Sequence, residues 1–422
     1  MNEISLASPS ADLPILEGFN PLDREFLRDP YAMFERARRD APVFYYPGPP
    51  ISFWAVTRYE DVAWVHSDYH TFSSGVLSKT VPPAAFSGRI TEDFVSRLIL
   101  AMDPPEHSRV RRLHQKAFTR RRLMELEDLV REIANELVDE LLPRGRCDLL
   151  KDFARPLSML TMLRYLGLPE NNRARLDQYA DDLLRVVTDA VNPMGEAERL
   201  DRWERVVGTL EMFQVMVAER AKLMTDDDPV AMLAHASVAG ECPVRSHEEL
   251  ALDLTTFITA GTETTANLLC ETVRLLDESP AQREELRRDR GLFDNAVDEG
   301  LRRRASAIAN FRIARRDVQI GGYTIPEGSH IWACLASANH DEQVFPEPRK
   351  FDIHRENANK HLGFSKGPHF CLGAPLARLE AKVGLETLLF RVPGLRVPAQ
   401  ELEYTPTLGV VVNLEGMLVE WD

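Results

Sequence analysis

The chain has 422 residues, 44% hydrophobic and 28% charged, with a formal net charge of −15. This is the composition of an ordinary folded protein with room for a large core, and it excludes a fibrous or disordered chain. The acidic balance, with no basic tract interleaved with aromatics, argues against nonspecific nucleic-acid binding. Cysteines at 147, 242, 270, 334 and 371, without a Cys-x-x-Cys, argue for a reducing compartment and against a disulfide framework or zinc cluster.

Residues 1–22, rich in Ser, Pro and Asp, read as a flexible lead-in to a single domain over 23–422. No apolar run there is long enough for a signal peptide or a membrane span, so the expectation is a cytoplasmic protein. From Phe26 to Arg39 apolar residues recur at helical spacing until Ala41-Pro42. Val43 to Tyr46 and Ile51 to Val56 read as two short strands in front of a helix from Tyr59. Thr71 to Leu100 has no single period and reads as a long, partly irregular segment. Asp103-Pro104-Pro105-Glu106-His107 then opens a helix with Asp103 as its expected cap, and His107 and Arg111 share one face. On spacing alone that face is equally a solvated one.

Leu123 to Leu142, Asp148 to Leu166, Asn171 to Val191 and Leu200 to Met224 have helical period between Pro, Gly or Asn breaks, so the middle of the chain is mainly helical. His247 to Leu276 is the longest apolar helix, too polar in its threonines to span a membrane. At its centre stands Ala260-Gly261-Thr262-Glu263-Thr264. Thr264 can turn its hydroxyl onto the carbonyl of Ala260 and open a notch beside two small residues; the alternative is a buried helix whose threonines merely bond their own backbone. A buried Glu263 without a partner would be costly, which favours a role for it. Thr256, Thr259 and Ala260 share a face with Thr264. Helical segments continue to Arg304 and place Glu299 and Arg302 on one face, with Gly300 costing the helix about 1 kcal/mol relative to Ala. Asp317 to Ile325 and Ile331 to Ala333 read as strands. A helix runs from beyond Cys371 to Phe390, and strand-like pieces follow at Leu395–Val397, Thr407–Val412 and Met417–Val419.

The segment Phe364-Ser365-Lys366-Gly367-Pro368-His369-Phe370-Cys371-Leu372-Gly373 puts a thiol in a tight loop at a helix N-terminus. Backbone N–H groups and the helix dipole favour negative charge there, so Cys371 is a candidate metal ligand. This loop resembles the haem-ligand loop of the cytochrome P450 family, with Ser365 where many members carry Gly. Other motifs follow in that family's order from Asp29-Pro30-Tyr31 onward. Ala260 to Thr264 resembles its small-Gly-x-acid-Thr signature, and Glu299-x-x-Arg302 with Arg355 its charged clamp. Ser306 to Arg312 resembles its Ser-Pro-Val-x-x-x-Arg segment, with Ala307 replacing Pro.

The resemblance implies a single triangular fold, mainly α with a small β subdomain. It implies haem b (iron protoporphyrin IX) between the Thr264 helix and the Cys371 loop. Cys371 would be the axial ligand, and His107, Arg111, Arg312 and His369 would be donors to the propionates. Glu263 and Thr264 would deliver protons for O2 cleavage, and a mobile lid would lie near Val191 to Gly195. The expected activity is insertion of one oxygen atom into a C–H bond. Alternatives are a peroxide-driven peroxygenase, whose relatives replace the acid-Thr pair, and a haem-thiolate sensor or carrier, which needs no proton relay. The substrate pocket is expected at Thr256, Thr259, Ala260, Ile308, Asn310 and Val410, with Leu408 to Val411 as a turn. Such a lining suits a mid-sized, largely apolar substrate bearing a few oxygens, of the terpenoid, steroid or polyketide kind. Electrons would come from an acidic ferredoxin with its NAD(P)H-dependent reductase, steered to Arg109, Arg112, Lys116, Arg120, Arg121, Arg122 and Lys366 of an otherwise monomeric protein.

Overall fold

The structure is a computed structural model that describes residues 13–49, 51–77, 81–117, 119–187, 189, 193–223, 225, 228–238, 245–407 and 410–422, without the side chains of 120, 121, 123, 406 and 407. Helices α1 (Arg24–Arg28), α2 (Tyr31–Asp40) and α3 (Tyr59–Ser67) come first. The reading of one helix from Phe26 to Arg39 is corrected: Asp29 caps α1 and Pro30, which has no N–H to continue the ladder, separates it from α2. Then come α4 (Glu106–Gln115), α5 (Arg120–Leu141), α6 (Arg155–Tyr165), α7 (Arg173–Val187), α8 (Glu196–Arg220) and α9 (Pro229–Val238). The series closes with α10 (His247–Asp277), α11 (Pro280–Arg288), α12 (Phe293–Arg303), α13 (Leu335–Ala338) and α14 (Ala374–Arg391).

Ser246 starts α10 with a reciprocal capping box to Glu249. The apolar residues of α10 then extend around most of its circumference, so it is buried on several sides, against α6, α8, α12 and α14. Asp103 is not the cap of α4: its carboxylate accepts from Ser74 N at 2.8 Å and Ser73 Oγ at 2.5 Å and pairs with Arg315. Only its carbonyl serves the helix, from His107 N at 3.0 Å. Among the described residues α9 is a helix that spacing did not single out. Of the expected lid turn, Val191 and Asn192 lie outside the described residues.

The strands are β1 (Val43–Tyr46), β2 (Phe53–Val56), β3 (Phe72–Ser73), β4 (Arg146–Asp148), β5 (Asn310–Ala314), β6 (Val318–Ile320), β7 (Tyr323–Ile325), β8 (His330–Ala333), β9 (Tyr404–Thr407), β10 (Val411–Leu414) and β11 (Leu418–Glu420). One five-stranded sheet, ordered β1-β2-β8-β5-β3, is antiparallel except for the β2–β8 pair. The rest form two-stranded ribbons, β6–β7, β9–β10 and β4–β11. Leu395–Val397 is no strand; Arg396 makes only an isolated bridge to Glu420.

Glu299 and Arg302 are fully buried on α12, and Arg302 donates to Glu299 at 2.7 and 2.8 Å while Arg355 Nε reaches the same carboxylate at 3.1 Å. The remaining guanidinium hydrogens go to loop carbonyls, including Asn339, Pro346 and Pro348. That complete satisfaction makes the triad a geometric clamp on the segment leading to the Cys371 loop. Gly300 lies where α12 crosses α10: a Cβ there would fall 2.3 Å from Thr272 Oγ1, which accounts for a helix-weakening residue in mid-helix.

Candidate active site

A cavity of about 300 Å³ lies between α10 and the Cys371 loop, lined among others by Ile99, Leu100, His107, Arg111, Thr256, Ala260, Gly261, Thr264, Asn310, Phe364, His369 and Cys371. Cys371 is positioned by its own N–H on the Phe364 carbonyl at 2.8 Å and by the start of α14 just beyond it. Burial pushes its thiol up, while the N–H groups of Gly373 and Ala374 and the guanidiniums of Arg111 and Arg378 oppose that. The helix start thus acts on the sulfur in the direction expected from sequence, and a cation bound at sulfur would add to it. Ser365 takes a φ of +62°, a left-handed conformation glycine adopts freely, and its Oγ is buried without a hydrogen-bond partner.

On α10, Thr264 Oγ1 donates to the Ala260 carbonyl at 2.8 Å, the expected notch, and Ser306 Oγ donates to the carbonyl of Thr264 at 2.9 Å. Glu263 is not without a partner: Arg155 of α6 donates to it at 2.7 Å, with Asp177 and Asp181 of α7 near enough to act on its charge. Burial nevertheless holds the Glu263 carboxyl above its ordinary value, against the pull of Arg155.

His107 is buried with Nδ1 unpartnered, and its ring lies 4.0 Å, centroid to centroid, from that of His369. Desolvation pushes His107 down to about 4 and His369 to about 3, so both are neutral donors near pH 7. His369 Nε2 sits 3.0 Å from both the Met102 carbonyl and Ser74 Oγ. Arg111 has no hydrogen bond or ion pair among the described residues, and burial lowers it. Arg312 does not line the cavity; it is buried, bonded among the described residues only to the Phe311 carbonyl at 2.8 Å and pushed down to about 10 by desolvation. A buried guanidinium (Arg312), a half-buried one (Arg111), neither hydrogen-bonded to a carboxylate among the described residues, and an orphaned imidazole nitrogen are costly unless an anion joins them, so the donor set fits a ligand carrying carboxylates.

The expected substrate wall needs correction. Thr256 and Ala260 line the cavity, but Thr259 does not; Thr256 Oγ1 donates to Leu252 O at 2.7 Å and Thr259 Oγ1 to Thr255 O at 2.9 Å. Ile308 packs in the main core beside a smaller cavity, and Val410 contributes its carbonyl, not its side chain, to the wall segment, accepting from Ile308 N at 2.8 Å. Alternation along an extended segment turns Ala307 to the cavity and Ile308 to the core. Asn310 lines the cavity and lies 3.3 Å from His66 Nε2. Leu408 is outside the described residues. The loop that has Ala307 in place of Pro is held by Val412 N on Ser306 O at 2.8 Å and Ala336 N on Ile308 O at 2.9 Å. Sequence reasoning missed Arg155, Ser306, Phe257 and Glu380, all at or behind this wall.

The family profile described as cytochrome P450 matches residues 30–393. The chain belongs to the cytochrome P450 family. Cyclomarin C epoxidase CymV of Salinispora arenicola is 34% identical over 358 residues, covering 85% of this chain and 88% of the relative. Cytochrome P450 monooxygenase PikC of Streptomyces venezuelae is 32% identical over 419 residues, 98% of this chain and 95% of PikC. The crystal structure of epothilone D-bound cytochrome P450epoK superposes with a TM-score of 0.85 at 27% identity, over 96% of this chain and 99% of that one. Cytochromes P450 are haem-thiolate monooxygenases, so this chain is an oxidoreductase of that kind, with the mainly α fold expected. Among the described residues no helix is long and apolar enough to cross a membrane.

On the outer side of α4, Arg109, Arg112, His70 and Arg315 line an open groove of about 430 Å³. The basic cluster expected there is partly neutralised. Arg109 lies 3.6 Å from Glu106, Arg315 pairs with Asp103 and Arg122 reaches Met232 Sδ at 3.7 Å, while the side chains of Arg120 and Arg121 are outside the described residues.

Proposed function

We propose that the chain binds haem b through Cys371 and inserts one oxygen atom of O2 into a C–H bond of a mid-sized, largely apolar substrate of the terpenoid, steroid or polyketide kind. The observation that carries this is the convergence on one cavity of a thiol at a helix start, a helix notch and unpaired cationic or neutral donors. His107, Arg111 and His369 would hold the propionates, with Arg312 close behind them. Bound there, the haem supplies thiolate-ligated iron for dioxygen activation. Thr264, its hydroxyl hydrogen committed to Ala260, presents lone pairs to the notch and can accept a proton-bearing water. Glu263 takes protons from the Arg155 side and releases them toward Thr264, the role for which a raised carboxyl suits it. Thr256, Asn310 and the apolar wall of Ile99, Leu100 and Phe257 would orient the substrate.

Electrons come, on this reading, from an acidic ferredoxin docking on the Arg109–Arg112 groove and Lys366, which belong to α4 and the Cys371 loop, both of which contribute residues to the cavity lining. The peroxygenase and sensor alternatives are disfavoured by the retained Glu263–Thr264 pair. The ferrous-carbonyl spectrum tests the reading. A thiolate-type band is expected in the wild type and absent in Cys371→His; its absence from the wild type would remove the proposal. A compound screen for a low-to-high spin shift identifies the substrate. Reduction rates indifferent both to ionic strength and to Arg112→Glu with Lys366→Glu would reject the docking surface.

A further inference from the structure

The polar side chains on the wall assigned above to the substrate share one property: their hydrogens are already committed inside the protein. Thr256 Oγ1 donates to the Leu252 carbonyl at 2.7 Å and Ser306 Oγ donates to the Thr264 carbonyl at 2.9 Å, and both residues line the cavity. A hydroxyl has one hydrogen and two lone pairs, and a carbonyl only accepts, so each of these oxygens turns nothing but lone pairs to a ligand. Thr264 does the same in the notch, through its bond to Ala260.

Asn310 extends the pattern through its neighbour His66. On α3, His66 Nδ1 lies 2.8 Å from the Val62 carbonyl one turn back, so the ring proton sits on Nδ1 and Nε2 keeps its lone pair. The residue is 2% exposed, and burial, with the charge of Arg312 nearby, drives the ring down to about 3, so Nε2 takes up no proton near pH 7. The Asn310 amide, 3.3 Å from Nε2, must then present its NH2 to that nitrogen. Turning the amide over would set its oxygen against the imidazole lone pair. The amide oxygen is thereby left without a hydrogen bond to the chain among the described residues, accompanied by one further N–H. Donors do line the cavity, but His107, Arg111 and His369 belong to the carboxylate-binding set. Thr265, whose hydroxyl makes no hydrogen bond among the described residues, lies nine positions beyond Thr256, roughly 13 Å of helix rise.

We propose that the cavity selects a substrate carrying a free hydroxyl on its apolar skeleton over the corresponding ketone or ether, because Thr256, Ser306 and Asn310 together offer acceptors for a donated hydrogen. An alcohol donates to one of these oxygens and can accept from the Asn310 N–H as well. A ketone or ether oxygen has only that N–H to use and elsewhere meets lone pairs. The hydroxyl also loses more hydration on entering the cavity, so a preference for it reports bonds made there.

The inference rests on the haem-thiolate reading, which the ferrous-carbonyl band judges first. The preference itself is read by calorimetry, which needs no spin change and reports ligand binding alone. The ligands are matched sets on one skeleton: menthol, menthone and menthyl methyl ether; cyclododecanol, cyclododecanone and methoxycyclododecane; testosterone, androstenedione and testosterone methyl ether. In the haem-loaded parent, an alcohol is expected to bind roughly three- to tenfold tighter than its ketone and its ether. Thr256→Val and Asn310→Leu keep the approximate size of the wall and remove acceptors, so each is expected to weaken the alcohols and leave ketones and ethers within about twofold of the parent. A mere loss of packing would weaken all three alike. His66→Phe frees the amide to turn over and is expected to raise ketone binding toward that of the alcohol. A ketone or ether bound as tightly as its alcohol in the parent, no alcohol bound in any set, or a preference unchanged in both Thr256→Val and Asn310→Leu overturns the proposal. If Asn310→Leu fails to fold, Thr256→Val alone decides by the same comparison.

Discussion

Replacing Gly300 by Ala asks whether a helix-weakening residue inside the Glu299–Arg302 clamp is imposed by packing. An ideal Cβ at 300 lies 2.3 Å from Thr272 Oγ1 and 3.2 Å from that residue's Cβ and Cγ2, well inside van der Waals contact. Thr272 is fully buried and cannot rotate freely, because its hydroxyl donates to the Leu268 carbonyl at 2.7 Å, a bond worth roughly 0.5–1.5 kcal/mol. Overpacking of this kind costs about 1–3 kcal/mol. Ala at a mid-helix glycine returns about 1 kcal/mol, so Gly300→Ala is expected to lose up to about 2 kcal/mol. In a Thr272→Ala background the Oγ1 and Cγ2 contacts vanish, leaving one 3.2 Å contact, and the same substitution is expected to be neutral or stabilising. The double-mutant cycle should therefore show a coupling of about 1–3 kcal/mol. Urea titrations of the four proteins, followed by tryptophan fluorescence and far-ultraviolet circular dichroism, give the midpoints. A Gly300→Ala protein as stable as the parent, or one whose loss is equal in both backgrounds, would refute the steric account.

Three further outcomes are expected. Arg155→Met removes the charge that opposes the burial of Glu263, so this carboxyl stays neutral to higher pH and the pH-limb of product formation moves upward. Because a carboxyl raised by folding stabilises below its unfolded value, near 4.5, and loses that contribution as pH rises through its folded value, the variant should also lose more stability than the parent on going from acid to neutral pH, read as melting temperature against pH. Ser365→Gly relieves a left-handed φ costing about 1–2 kcal/mol, less roughly 0.5–1 kcal/mol of added chain entropy, for a net gain near 0.5–1 kcal/mol in chemical denaturation. Thr256→Val should weaken the best screened substrate several-fold by spin-shift titration, a lost hydrogen bond of about 0.5–1.5 kcal/mol, whereas Thr259→Val, outside the cavity wall, should bind it as the parent does.

What could be read from sequence was what local spacing encodes. Glu299 and Arg302 are three apart on a helix, Thr264 and Ala260 four apart, and Cys371 three residues before the start of α14, so each relation was fixed before any tertiary contact was known. Arg155 escaped because its partner lies 108 residues away and nothing in the intervening pattern points to it. Asp103 looked like a cap and became a junction, since Ser73 and Ser74 at the end of β3 and Arg315 just after β5 claim its carboxylate. Ile308 and Val410 were assigned to the wrong side of the wall because a short extended segment changes face at every residue, and an error of one position reverses the answer. Strand β4 is three residues long, and its pairing depends on Leu418–Glu420, far away in the chain.

That pairing sets the order in which the fold can be completed. Tyr404 Oη donates to Glu271 at 2.6 Å, Asn267 exchanges bonds with Val412 O at 3.0 Å and Leu414 N at 3.2 Å, and Trp421 closes on Gly145 O and Leu142 O. During synthesis, then, α10 emerges with Asn267 still lacking partners that lie more than a hundred residues downstream and with Glu271 paired only to Arg274 of its own helix, and the α5–α6 corner stays open until residue 421 has left the ribosome. A chain halted before residue 404 exposes these polar groups and the apolar face around them, which makes it a substrate for chaperones and proteases in place of a smaller working enzyme.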